Sequence, residues 1–206
     1  MGQIAGPYGL RVVKNLGEGY FAGGMHTYSI SNPATIAARG IYFGDPVGLQ
    51  GGDLIPLTAS PAAGVPGVVG IFQGCSWQDP VRGFVNSQFL PAGLLSTGAS
   101  NVKCKVSDYP GVVMRVQADG PVQTTQLGLN AALGNFAAGS NSTGNSAVNL
   151  TSASIAAGAT LAVRIFGFVK DAAPSPGAGS MPGDPFTDVL VIWNFGIDRY
   201  LNATGG

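Results

Sequence analysis

Charge is scarce in this chain. Of its 206 residues only 10% are Asp, Glu, Lys or Arg, and ten basic side chains balance ten acidic ones. Ordinary soluble domains carry roughly 25%. Phosphate binding needs clustered Lys and Arg, and here they are scattered singly, so nucleic acid is excluded as a partner. Little charge is available to hold copies apart, which implies a surface largely covered by partners, other copies of the chain among them. Long apolar runs are lacking too. No stretch of about 18 apolar residues exists, so no membrane-spanning helix and no membrane partner is expected. Residues 1–15 lack a basic start followed by an apolar core, so no secretory leader is expected and the chain is read as made in a cytoplasm.

Groups that carry chemistry are equally few. The two cysteines, Cys75 and Cys104, have no Cys-x-x-Cys spacing and are too few for a disulfide framework. They read as free buried thiols in a small-hydrophobe role. The single histidine, His26, has no nucleophile elbow or reactive-cysteine motif near it, so it reads as a polar strand residue. A zinc site needs three or four ligands, and spacing alone leaves open only a Cys75/Cys104/His26 cluster. Glu18 is the one glutamate, and Asp45, Asp79 and Asp184 each precede proline, where aspartate forms turns. Paired carboxylates for glycoside hydrolysis are therefore not expected. Residues 17–22 match G-x-G-x-x-A, but Gly23-Gly24 follows where the phosphate-cradling version needs a helix. No catalytic residue, metal or cofactor is assigned.

Glycine and proline are what the chain has in abundance, with 33 and 14 residues. That composition disfavours long helices and favours short strands with tight turns. The clearest unit is residues 68–93. Val68, Val69, Ile71 and Phe72 form a short apolar, β-rich run that reads as a buried strand. Gly70 and Gly74 interrupt it where a side chain would crowd a neighbour or a bulge bends the ladder. Asp79-Pro80 turns the chain, and residues 84–89 return with a period of two. Further strands are expected at residues 25–30, 40–49 with a break at Asp45-Pro46, 54–57, 102–106, 112–118, 161–170 and 186–195. The last is the most apolar and is expected to close a sheet. Residues 124–133 read as irregular or strand, and 139–146 and 172–185 as exposed loops. Residues 1–24 hold seven glycines and one apolar island, Leu10 to Val13, and read as an extended arm. The expected fold is all-β: an antiparallel, jelly-roll-like sandwich in one β domain over residues 25–206, with a Gly-rich extended N-terminal arm over residues 1–24.

The motifs G-P-Y-G-L-R-V-V, F-G-D-P-V, G-I-F-Q-G-C-S-W-Q-D-P, N-S-Q-F-L-P-A-G and V-x-M-R-V-Q-A-D-G together resemble a family of small virion proteins of tailed bacteriophages. Members are regarded as head decoration or cement proteins, found beside the major capsid protein. The chain departs from the family in residues 172–185 and in its close from Trp193 onward. The resemblance implies a structural protein on the capsid exterior, made in the host bacterial cytoplasm. Its partners would be the major capsid protein and itself, as a homotrimer. The residues assigned to contact with capsid or sister subunit are Pro7, Tyr8, Leu10, Tyr20 and Phe21 of the arm, with Trp77, Asp79 and Arg82 at the central turn. A rival reading is a glycan-binding or receptor-binding virion module, with Trp77 or Trp193 as the sugar platform beside polar loops at 76–79 and 139–146.

Overall fold

The structure is a computed structural model that describes residues 5–17, 19–20, 24–36, 39–62, 67–137, 139–169, 181–194 and 197. It is all-β and antiparallel in its named strand pairs, and among the described residues the helical segments are single 3-10 turns. In chain order the strands are β1 (Arg11–Asn15), β2 (Gly19–Tyr20), β3 (His26–Ser29), β4 (Pro46–Gln50), β5 (Asp53–Pro56), β6 (Gly70–Asp79) and β7 (Gly83–Ser87). Then come β8 (Ser100–Ser107), β9 (Val112–Gln117), β10 (Asn130–Ala131), β11 (Leu133–Gly134), β12 (Asn149–Leu150), β13 (Val163–Phe168) and β14 (Asp188–Trp193).

Two six-stranded sheets result. One runs β10-β13-β14-β9-β1-β2, and the other β3-β8-β6-β4-β5 with β7 also paired to β6. Each sheet buries one face on its own apolar cluster. Met114, Val116, Ile165, Val189, Val191 and Trp193 pack in the first cluster; Val47, Leu54, Phe72, Cys75, Val102 and Cys104 pack in the second. The stretch 68–72 lies between them. Val68 and Ile71 enter the first cluster, while Val69 and Phe72 enter the second, and all four are fully buried. Burying a side chain of this size is worth about 1.5–3 kcal/mol, so this short run ties the two halves together.

Glycine is required at both interruptions of β6. A Cβ at Gly70 would stand 2.3 Å from the Ser107 carbonyl oxygen, so β8 can approach only a residue without a side chain. Gly74 has φ +127° and sits where the register against β8 shifts between Phe72 and Gly74, a bulge.

Three expectations are corrected. The described part of the N-terminal stretch is no arm reaching outward: β1 pairs with β9 inside the first sheet, and Leu10 is fully buried in its core. Its apolar island finds a better partner in its own chain, where Leu10 N–H also donates to the Gly44 carbonyl. The strand expected to close a sheet, β14, is instead interior, flanked by β13 and β9, as suits a strand with no strongly exposed side chain. The exposed loop expected at 139–146 holds for Ser140 to Thr143 and is corrected beyond them, since Gly144 and Ser146 are buried and Phe43 N–H donates to the Gly144 carbonyl. Residues 170–180 and 198–206, which include most of the departures from the family pattern, lie outside the described residues.

Candidate functional site

The hairpin of β6 and β7 builds the most exposed apolar feature of the described surface. Trp77 pairs with Val85, Gln78 with Phe84 and Asp79 with Gly83, so side chains alternate between the second core and solvent. At the tip, Asp79 Oδ1 accepts the backbone N–H of Val81 at 2.9 Å and of Arg82 at 2.8 Å. Those bonds fold the turn that Pro80 pre-sets. They also hold the Asp79 carboxyl below its usual range, with the backbone N–H of Arg82 the larger cause. A locked turn leaves Val81 90% exposed and Phe84 67% exposed.

Behind this tip lies an open cavity of about 400 Å³, walled by Trp77, Asp79, Arg82, Pro91, Leu94 and other residues of the turn. Trp77 itself is a core residue, and its indole N–H is buried with no hydrogen-bond partner among the described residues. Leu94 comes from the 3-10 turn Leu94–Thr97, which follows the Pro91 that ends the hairpin's return. The patch therefore has apolar tips, an apolar floor and one charge of each sign. Buried aromatic floors beside exposed apolar tips and an arginine are the ingredients of protein-binding surfaces.

The eight residues assigned from sequence fall apart in space. Trp77, Asp79 and Arg82 come together here. Pro7, Tyr8 and Leu10 lie on the first sheet, where Tyr8 is bound within the chain. Its hydroxyl donates to Asp188 Oδ1 at 2.8 Å and accepts from Arg115 Nε at 2.9 Å, and Arg115 also pairs with Asp188. Burial, then the Asp188 charge, pushes the Tyr8 phenol well above its ordinary value. Pro7 is half-buried beside it, and Gly6 N–H donates to Gln117 Oε1 at 2.9 Å. Tyr20 contributes backbone to β2, while its side chain and all of Phe21 lie outside the described residues. Val81, Phe84, Pro91 and Leu94 were not assigned from sequence. A β-branched residue inside the turn D-P-V-R and an aromatic at an outward position of an alternating strand were the available signals.

Two polar clusters elsewhere have structural partners. Asp45 is fully buried, accepting from Arg39 Nη2 at 2.8 Å, Tyr42 N–H at 2.9 Å and Ser146 Oγ at 2.5 Å. His26 Nδ1 lies 2.8 Å from both carboxylate oxygens of Asp108, which also accepts from Tyr28 at 2.6 Å. A histidine oriented by a carboxylate is two-thirds of a triad. Among the described residues no hydroxyl or thiol is hydrogen-bonded to its ring, and no group of three His, Cys, Asp or Glu converges as a metal site. Cys75 and Cys104 are free and buried, directly opposite each other on β6 and β8. No protein-family model matches this chain, nor does any curated protein or solved structure.

Proposed function

We propose that the chain is a structural binding protein that decorates the exterior of a tailed-bacteriophage head, clamping neighbouring major capsid protein subunits as a homotrimer. The observation that carries the binding role is the locked β6–β7 tip, with Val81 and Phe84 exposed above the cavity walled by Trp77 and Arg82. The sequence motifs supply the capsid context. Apolar side chains held out on a rigid turn lose little conformational freedom when a partner covers them, so more of the burial free energy appears as affinity. A protein that binds the assembled shell and not its separated subunits shifts the equilibrium toward the shell by mass action. Three linked copies multiply the effect through effective concentration. The jelly-roll expectation belongs to the same reading: two antiparallel sheets with buried faces support it. A sugar platform has less support, because Trp77 and Trp193 both sit in the cores.

The test is co-sedimentation with heads of the virus that encodes the chain, stripped of this protein. The unaltered protein is expected to pellet with the heads, and the pair Val81→Asp, Phe84→Ser is expected to stay in the supernatant with an unchanged circular dichroism spectrum. If the unaltered protein also stays in the supernatant, the reading falls.

A further inference from the structure

Folding gathers charges that the sequence scatters. On the first sheet Met114, Val116, Ile165, Val189 and Val191 turn inward, so the positions alternating with them stand on the outer face. In one row of that face Lys14 stands opposite Val113 and Ile192 opposite Arg164; in the next, Arg11 stands opposite Arg115 and Arg115 opposite Leu190. Among the described residues these four cations share the face with one carboxylate, Asp188, although the chain as a whole carries no net charge.

Asp188 is already paired with Arg115, and the other three cations have neutral partners. Arg11 Nη2 donates to Asn145 Oδ1 at 2.8 Å, with its guanidinium 4.1 Å from the centre of the Phe43 ring. Arg164 Nε donates to Asn130 Oδ1 at 2.9 Å. Lys14 Nζ lies 5.5 Å from the centre of the Phe166 ring, which belongs to a strand three places away in the sheet. These contacts hold the side chains in place and leave their charge uncompensated. Partial burial disfavours the Arg11 charge, and Arg115 directly opposite adds a like one. The remaining donors reach solvent: Arg164 is exposed, Arg11 and Lys14 are half-buried, and none of their nitrogens is a buried orphan. Apolar surface lies among them, with Phe166 40% and Val13 42% exposed and Leu190 half-buried.

The acid that would answer these charges is not on another copy of the chain. Asp53, Asp79 and Asp119 are the described carboxylates that are not buried; they stand on separate elements, and each accepts backbone N–H groups. Apolar side chains among the cations suit a protein better than a phosphate backbone. Strands β1 and β13 are three spacings apart, about 14 Å, and in an extended segment side chains four residues apart share one face about 13 Å from each other.

We infer that the outer face of the first sheet is a docking surface for an extended acidic segment of a partner protein. One carboxylate of the segment meets Arg164, a second meets Arg11 or Lys14, and an apolar side chain between them covers Phe166 and Leu190. The surface is on the other sheet from the hairpin tip, and the inference does not depend on the capsid reading.

Titrating isotope-labelled protein with the blocked peptide Glu-Thr-Leu-Thr-Glu at low salt, followed by nuclear magnetic resonance, tests it. Saturable shifts are expected at the backbone amides of Arg11, Arg164 and Phe166, half-saturating at about 0.1–1 mM and weakening as salt is added. The neutral peptide Gln-Thr-Leu-Thr-Gln should bind about tenfold more weakly or worse. Lys14→Gln and Arg164→Gln together should weaken the acidic peptide about fivefold or more, whereas Lys105→Gln, on the second sheet, should leave it unchanged. Absent shifts at these residues in the unaltered protein, equal binding of the neutral peptide, or an equal loss from Lys105→Gln would overturn the inference. Tighter binding of a thymidine decanucleotide at the same residues would overturn it too, by marking a phosphate surface. So would a solution oligomer that Arg164→Glu dissociates, since a second copy would then cover the face.

Discussion

The hydroxyl of Ser146 donates to the carboxylate of Asp45 at 2.5 Å, across 101 positions of sequence. Ser146 Oγ in turn accepts the Val148 N–H at 3.1 Å, so the docked loop 139–146 is anchored to a buried charge. Arg39 Nη2 completes the anchor at 2.8 Å, its side chain nearly buried. Burial pushes the Asp45 carboxyl above its ordinary value, and the Arg39 charge and the hydrogen bonds from Ser146 and Tyr42 only partly offset this.

Asp45→Ala and Asp45→Asn are expected to separate. Alanine leaves the Arg39 charge, the Tyr42 N–H and the Ser146 hydroxyl without their partner and should cost about 3–5 kcal/mol at pH 7. Asparagine keeps an acceptor for Tyr42 and can donate to Ser146, so it should cost much less. Because the folded-state value is raised, the contribution of this group is fully present below the unfolded value of 3.8 and is lost as pH rises through the folded value. The unaltered protein should therefore gain stability relative to Asp45→Asn as pH falls from 7 toward 3.8. Urea unfolding at several pH values measures both effects; equal costs for the two variants would refute the anchor.

Leu10→Ala should destabilise the fold by about 2–5 kcal/mol, the range for a buried leucine truncated to a cavity. Leu10 lies in the first core, one residue before a strand paired to β9. Loss of residues 1–15 should accordingly unfold the first sheet rather than release a dispensable arm. Thermal denaturation of Leu10→Ala decides this, and an unchanged midpoint would return the stretch to the status of an arm.

Gly70→Ala tests the seam between the two cores. The new methyl would meet the Ser107 carbonyl oxygen at 2.3 Å and the Asp108 Cα at 2.8 Å, both backbone atoms that cannot turn aside. A cost of about 1–3 kcal/mol or more is expected. Unfolding in urea with a midpoint equal to that of the unaltered protein would show that β8 gives way freely.

The thiols should be inert in the folded state. Burial raises Cys75 far above the usual thiol value, with the neighbouring Cys104 adding to it, and burial pushes Cys104 up to about 12. The reactive species is the thiolate, which is then nearly absent at pH 8. Neither cysteine should react with an aromatic disulfide reagent within minutes in buffer at pH 8, and both should react at once in 8 M urea. Rapid labelling of the folded protein would mean that β7 opens readily.

Much of the fold could be read along the chain. The turn at Asp79-Pro80, the strands expected at 54–57 and 102–106 and the buried run 68–72 all follow from local period and turn chemistry. These signals are local, since a strand's side chains alternate whatever it pairs with. The hairpin that carries the candidate surface was legible for the same reason, through the Asp79-Pro80 turn and the returning residues 84–89. Its remaining members were not, because exposure of Val81 and the approach of Leu94 depend on how a distant 3-10 turn covers the second core.

The sequence by itself determined an all-β chain, the places where glycine must stand in β6, and the scarcity of groups for chemistry. Tertiary structure decided which sheet each strand joins, that β14 is interior, and that the N-terminal stretch belongs to the first core. It also decided that Asp45, whose place before proline reads as an ordinary turn, is a buried charge. The physical reason is range. Turn geometry and side-chain alternation are set within a few residues, whereas the partners of Asp45 and Tyr8 lie on strands and loops that only folding brings together.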